Sequence, residues 1–304
     1  MLSSSAWARL CCLISIPSIV VALTASAQSP KEGEVPVNAE NAVTLTADLV
    51  KTGLYVIFGG GSNTLMRLSA NGLILVDGKL PGNYRPLASQ VRKINKLSDL
   101  PTRVLILTNH HQSHTGTNAQ FQAAGIPVVA QQNTKSRLAA FQPASGKEAA
   151  PVIGFDREYK LQLGGVEVQL MHFGDAFTNG DAVVYFTNLK VIAIGDLFTR
   201  GTPEPDSLAG GSLVGWGPVL SQVLKIDFNI AVPSTGSMVT RAELEAFKSK
   251  LDTVVTRARA LVRQGVPKDS LMAQLKTDDL GWHFEFAGEQ LDRFYTELAE
   301  GEAQ

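Results

Sequence analysis

The stretch Val104-Leu105-Ile106-Leu107, followed at once by Thr108-Asn109-His110-His111-Gln112-Ser113-His114-Thr115-Gly116, constrains the fold more than any other part of the chain. Its apolar half is short, partly β-branched, and bounded by Pro101 on one side and polar residues on the other, so it fits a buried strand better than a helix. The strand hands the chain to a polar loop, and such loops are where binding and catalytic groups are commonly built. Three of the five histidines stand in this loop. Neutral imidazole is the commonest ligand for zinc and related divalent metals, so His110, His111 and His114 are candidate ligands. The same spacing also fits a solvated loop, and the residues alone leave both readings open.

The flanking pattern extends the strand into an architecture. Residues 53–58, 63–68 and 73–77 read as a β-meander whose turns are Gly59-Gly60-Gly61-Ser62 and Ser69-Ala70-Asn71-Gly72, the second carrying an Asn-Gly hairpin signal. Residues 85–97 read as an amphipathic helix, 118–124 as helix, 127–130 as strand, 134–141 as helix and 145–154 as loop. Strands follow at 157–163, 165–171, 182–187 and 191–195, and helices at 212–224, 241–263, 270–275 and 286–299. Thr240-Arg241-Ala242-Glu243 is a capping box that fixes the start of the longest helix. Strands, then interleaved helices, then strands again predict two packed β-sheets with helices outside.

With 304 residues, 44% of them hydrophobic and 18% charged, the chain is long enough to bury one large core. A net charge of −1 gives no electrostatic footprint for nucleic acid or an anionic membrane surface. Residues 1–27 read as a secretory signal: Arg9 is the one charge, Leu10 to Leu23 is almost wholly apolar, and Ala25-Ser26-Ala27 supplies the small residues of a cleavage site before Gln28. That run is interrupted by Pro17 and falls short of the ~20 residues a spanning helix needs, so no membrane span is expected after cleavage. Residues 28–42 read as a flexible tail and 43–304 as the folded domain. Both cysteines lie in the signal, so neither a disulfide nor a thiolate ligand is available after residue 27. A secreted or periplasmic location is compatible with such a cysteine-free chain.

Thr108 to Gly116 resembles the Thr-His-x-His-x-Asp-His-x-Gly signature of the metallo-β-lactamase superfamily, and the resemblance covers nearly all of the chain after the signal. Val76-Asp77-Gly78, Gly174-Asp175-Ala176-Phe177-Thr178-Asn179-Gly180-Asp181, Ile194-Gly195-Asp196-Leu197-Phe198 and Val232-Pro233-Ser234-Thr235-Gly236-Ser237 resemble further family segments. The resemblance implies an α/β fold, an αββα sandwich of two mixed β-sheets flanked by helices. It also implies a two-zinc site, and here the chain departs from the pattern. Asn109, Ser113, Phe177 and Thr235 stand where the family has metal ligands, and His111, His114 and Asp196 remain. His110 is expected on the opposite side from His111.

Two functional readings follow. In the first, the di-zinc machinery is largely lost, and a pocket lined by Asn109, His110, Ser113, Asp175, Phe177 and Thr235, with His111, His114 and Asp196, binds a small molecule with little or no turnover. In the second, His111, His114 and Asp196 hold one divalent ion (zinc, iron or manganese) as a 2-His-1-carboxylate set. Bound water then hydrolyses an ester, amide, lactone or lactam, and Asp175 is available as a further carboxylate. A Ser113–His nucleophile lacks an identified orienting acid. A third class, a scaffold whose helical C-terminus docks a partner, has only that helical composition behind it. Asp206 reads as part of a loop entering a helix, Trp216 and Trp282 as packing aromatics, and Gly59 to Gly61 lacks the Lys and spacing of a phosphate loop.

Overall fold

The structure is a computed structural model that describes residues 43–140 and 153–300. The signal segment, the tail and most of the expected 145–154 loop lie outside the described residues. Two mixed sheets face each other. The first runs in the order β1 (Thr46–Lys51), β2 (Leu54–Phe58), β3 (Thr64–Ser69), β4 (Gly72–Val76), β5 (Thr102–Ile106), β6 (Val128–Gln131) and β7 (Ile153–Phe155), antiparallel as far as β4 and parallel from there. The second contains β8 (Glu158–Leu163), β9 (Val166–Met171), β10 (Val183–Phe186), β11 (Val191–Gly195), β12 (Ile230–Pro233) and β13 (Val239–Thr240) in reverse spatial order, with β11 and β12 parallel.

The period of two along each strand explains the layers. In β4, Ile74 and Val76 point into a core shared with Val184, Phe186 and Ala193 of the second sheet, while Leu73 and Leu75 point outward to Leu87 and Val91 of α1 (Tyr84–Ile94). The apolar run 104–107 alternates in the same way, Val104 and Ile106 inward, Leu105 and Leu107 outward. Both faces are buried, which is why the strand reads as continuous rather than alternating hydrophobicity. Alongside α1, the first sheet's outer face carries α3 (Asn118–Ala123) and α4 (Gln132–Ala140), while α2 (Gln112–Thr115) is one turn inside the His loop. The second sheet's outer face is covered by α5 (Leu213–Val223), α6 (Arg241–Arg263), α7 (Lys268–Gln274) and α8 (Gly288–Glu300). One helical layer on the outer face of each of the two sheets makes the expected αββα sandwich.

The capping box holds: Thr240 Oγ1 accepts from Glu243 N–H at 3.2 Å, Glu243 Oε2 accepts from Thr240 N–H at 2.7 Å, and α6 starts at Arg241 as the sequence predicts. Strands β1, β7, β12 and β13 are not among the sequence expectations. β1 is an edge strand with mostly exposed side chains, so it carries no apolar alternation, and β7 and β13 are only three and two residues long. Among the described residues, no helix is long and apolar enough to cross a membrane.

Asn63, just before β3, ties the two sheets together at the functional end. Its N–H donates to Ser234 O at 2.6 Å and its Nδ2 to Pro233 O and Gly236 O at 2.9 Å each, so one side chain shapes the whole loop after β12. Gly61 beside it sits at φ 124°, and a Cβ there would meet Leu80 N at 2.7 Å and Ser113 O at 2.8 Å, so that turn admits no side chain. Asn63→Ala strands two carbonyls and is expected to cost about 2 kcal/mol in thermal or urea unfolding, against near zero for an exposed amide such as Asn229.

Candidate functional site

The parallel pairs β4–β5 and β11–β12 end side by side, one pair from each sheet, and each strand end delivers a polar side chain. β4 delivers Asp77, β5 Thr108 and Asn109, β11 Asp196, and β12 Ser234. Side chains gathered at the carboxyl ends of parallel strands, in a crevice between elements, are the usual setting for a ligand site. Gly195 makes the close approach possible: at φ 51°, a Cβ on it would lie 2.6 Å from Thr108 Oγ1.

His114 is the hub. It is fully buried, and its Nδ1 donates to Asp77 Oδ2 at 3.0 Å and its Nε2 to Asp196 Oδ2 at 2.9 Å. Carboxylates accept only, so both ring nitrogens carry protons and the imidazole is a cation. Burial pulls its pKa down, but the Asp77 and Asp196 carboxylates reverse that and push it up to about 10. Asp77 is in turn fixed by Thr108, whose N–H and Oγ1 donate to its two oxygens at 2.8 and 2.7 Å. Asp196 accepts from Asn109 Nδ2 at 2.7 Å on the oxygen that meets His114, and from Ser234 Oγ on the other. Burial raises the Asp196 pKa, yet His114 and these donors outweigh it and hold the carboxyl below the usual carboxylate range.

Two more buried groups frame the network. Burial drives Lys79 down to about 7 against the Asp77 charge, and its Nζ donates to Ile57 O at 2.8 Å and to Ser62 O, pinning the glycine turn. Burial raises Asp181 to about 8 over two opposing 2.8 Å hydrogen bonds from Thr178.

The histidines separate into two groups. His111 does not join His114 and Asp196: its Nε2 faces Asp206 Oδ2 at 3.0 Å, its N–H donates to Asn109 Oδ1 at 2.9 Å, and its ring lies 4.8 Å from that of Phe177. His110 is not on the opposite side from His111, as its register predicts. The one-turn helix α2 starts directly after His111 and breaks strand alternation, so the two rings meet edge to face at 4.8 Å and His110 Nε2 lies 3.7 Å from the same Asp206 oxygen. Burial and the charges of His111 and Arg137 pull His110 down to about 4 against the opposing effect of Asp206, so it is neutral at pH 7. Among the described residues, His110, His111 and Asp206 are the trio of possible metal ligands whose ligand atoms all lie within 4.8 Å of one another.

A cavity of about 250 Å³ opens beside Asp196, walled by Phe177, Phe198 and Trp216 and by Glu204, Ser234 and Thr235. Phe177 and Thr235, read from the sequence as pocket residues, both line this cavity. Ser113 gives its carbonyl to Ser62 N–H at 3.0 Å. Asp175 points elsewhere, pairing with Arg293 at 3.3 Å in a separate surface cavity with Ser212 and Glu297, because the loop turns back through the 3.1 Å bond of Ala176 N–H to Thr178 O. Sequence reasoning missed three partners. Asp77 was visible as the acid ending an apolar run. Asp206 was hidden by a local role, since its Oδ1 caps Ala209 N–H at 3.0 Å, and Ser234, though inside the segment 232–237, stands at a position to which the resemblance assigns no ligand.

An αββα sandwich with a histidine-rich loop at the parallel strand ends defines a metallo-β-lactamase-like protein. The Metallo-beta-lactamase superfamily model matches residues 56–256, and the chain belongs to that superfamily. It is 25% identical over 231 residues to the alpha subunit of 2,4-dinitroanisole O-demethylase from Nocardioides sp. (strain JS1661), covering 75% of this chain and 68% of that one. Its fold is similar to a metallo-beta-lactamase from Pontibacter korlensis (TM-score 0.59, 20% identity, 68% of this chain and 99% of that one). It is also similar to the mono-zinc form of the metallo-beta-lactamase FIM-1 from Pseudomonas aeruginosa (TM-score 0.56, 20% identity, 69% and 96%).

Ring NMR of His114 is expected to show a doubly protonated imidazole at pH 8 that deprotonates only near pH 10. Because the folded pKa lies above the unfolded value of about 6.5, its stabilising effect is complete below that pH and is lost as pH rises toward about 10. His114→Ala leaves the buried Asp77 and the partly exposed Asp196 without their shared cation and is expected to cost about 3 kcal/mol in denaturant unfolding.

Proposed function

We propose that this member of the superfamily is a ligand-binding protein with little or no hydrolytic turnover, in which a proton on His114 has taken over the charge-balancing role of a metal at Asp196. One observation carries the reading: every oxygen of Asp196 is already met by a protein donor, from His114, Asn109 and Ser234. A two-ion centre does not fit the residues present. Asn109 turns a donor toward Asp196, Phe177 has no ligand atom, and Thr235 and Ser113 offer only neutral oxygens where the family has His and Asp.

The pocket chemistry narrows the ligand. Its walls are aromatic rings and its polar groups are acceptors or hydroxyls, and a ~150 Å³ apolar cavity suffices for a benzene ring. A cavity of about 250 Å³ therefore suits one substituted ring with a donor group directed at Asp196 or Glu204. The O-demethylase relative is named for a single-ring aromatic, which agrees with that size.

The second reading, a mono-metal hydrolase using His111, His114 and Asp196, has one observation in its favour. Asp77 on His114 Nδ1 repeats the carboxylate–histidine arrangement that orients metal-bound imidazoles. It requires His111 to leave Asp206 and His114 to give up its Nε2 proton. A screen of esters, amides, lactones and lactams separates the two, and elemental mass spectrometry on untagged, zinc-equilibrated protein tests for a two-ion centre. Fewer than two ions per chain and turnover no faster than that of Asp196→Asn are expected. Activity lost on Asp196→Asn, or two bound ions, sinks the ligand-binding reading.

Export through residues 1–27 belongs to the same proposal, motivated by the apolar run and small-residue site before Gln28. Fractionation of expressing cells and N-terminal sequencing are expected to recover a chain beginning at Gln28 outside the cytoplasm, and an intact Met1 in the cytoplasmic fraction would rule this out.

A further inference from the structure

We propose that His110, His111 and Asp206 form a single-ion site for a divalent transition metal of the zinc class, displaced from Asp196 to the rim of the cavity. Two imidazoles and one carboxylate are a donor set suited to zinc or iron(II), with remaining positions open to water. The site uses different atoms from the His114–Asp196 network, so it stands whether or not that network has displaced a metal.

Geometry carries the assignment. With bonds of about 2.1 Å, ligand atoms at the corners of a tetrahedron stand about 3.4 Å apart. Asp206 Oδ2 is 3.0 Å from His111 Nε2 and 3.7 Å from His110 Nε2, on either side of that value, and all three ligand atoms lie within 4.8 Å of one another. The groups are also held in place before any ion arrives. Asp206 Oδ1 accepts Ala209 N–H, its own N–H donates to Phe177 O at 2.8 Å, and its carbonyl accepts Gly211 N–H at 2.7 Å, which leaves Oδ2 as the projecting ligand atom. His111 is fixed by Asn109 through its backbone and by the Phe177 ring. Side chains 17%, 35% and 24% exposed, for His110, His111 and Asp206, allow an ion to enter and a water to complete its shell.

The site also accounts for Phe177. A phenylalanine there provides no ligand, but it packs against His111 and supports Asp206 through its carbonyl, so one residue positions two of the three donors. Outer partners of this kind typically change metal affinity by about 10–100-fold.

The test is zinc(II) affinity by competition with a chromophoric chelator, with cobalt(II) visible absorption reporting the ligand field. Wild type, His110→Ala, Asp206→Asn, Asp196→Asn and the exposed control His283→Ala are compared, with circular dichroism as the folding check. Asp206→Asn keeps the oxygen that caps Ala209, so the loop is retained while the charge is lost. One ion is expected in wild type. Its affinity should fall by at least about 10-fold in His110→Ala and Asp206→Asn and stay unchanged in Asp196→Asn and His283→Ala. No ion in wild type, or one that both rim variants keep, overturns the rim site. If that kept ion is instead lost in Asp196→Asn, the ligand-binding reading of the cavity falls with it.

Discussion

The interaction on which the functional end depends is the buried imidazolium of His114 between Asp77 and Asp196. Asp77 belongs to the first sheet and Asp196 to the second, so this one ring joins the sheets where their parallel strands end. Leaving a buried charge unpaired costs several kcal/mol, so the shared cation stabilises both carboxylates in place. The supporting bonds are arranged accordingly: Thr108 fixes Asp77, Asn109 and Ser234 fix Asp196, and Asn63 fixes the loop that brings Ser234 in. Removing Thr108, Asn109 or Ser234 leaves a charged oxygen underpaired, and removing Asn63 leaves two loop carbonyls so, which is why the network constrains the loops more tightly than their lengths suggest.

Away from the charges, the cavity wall continues into the helical layer. Phe177 leads to Trp216 at 6.1 Å, then to Phe247 at 6.2 Å and Trp282 at 5.4 Å, mostly edge to face. Trp216 is buried in the second sheet's outer core, with its indole N–H donating to Leu197 O at 3.0 Å, yet the same ring lines the cavity. Packing and recognition are therefore not alternatives at this residue. A ligand beside Phe177 would touch a wall that is already rigid, which favours a preformed pocket over one that closes on its contents.

How much of this was legible in the sequence differs by level. Both layers of the sandwich followed from period-two strands and the capped start of α6, because burial and helix caps leave local traces. Edge strand β1 left none, since its side chains face water. At the site, the family pattern located the His loop and Asp196, and the substituted ligands were visible as residue types. Directions of side chains were not. The reversal of His110 comes from the single turn of α2, too short to show a helical period. Asp206 lies about a hundred residues from the histidines it meets, and its neighbours in the sequence read only as a loop entering a helix.

That separation bears on how such a fold can change its chemistry. Sheet cores and strand ends depend on apolar patterning spread over many residues, whereas ion binding depends on a handful of loop side chains. A dication between His114 and Asp196 needs a neutral imidazole, and the two carboxylates around the ring favour the charged one. An ion must therefore overcome that proton before it gains anything at Asp196. At His110 there is no such competition: the ring is already neutral at pH 7, and the Asp206 oxygen beside it already turns outward from its own loop. Within one short loop, two histidines thus differ in charge, because one is enclosed by two carboxylates and the other shares only one.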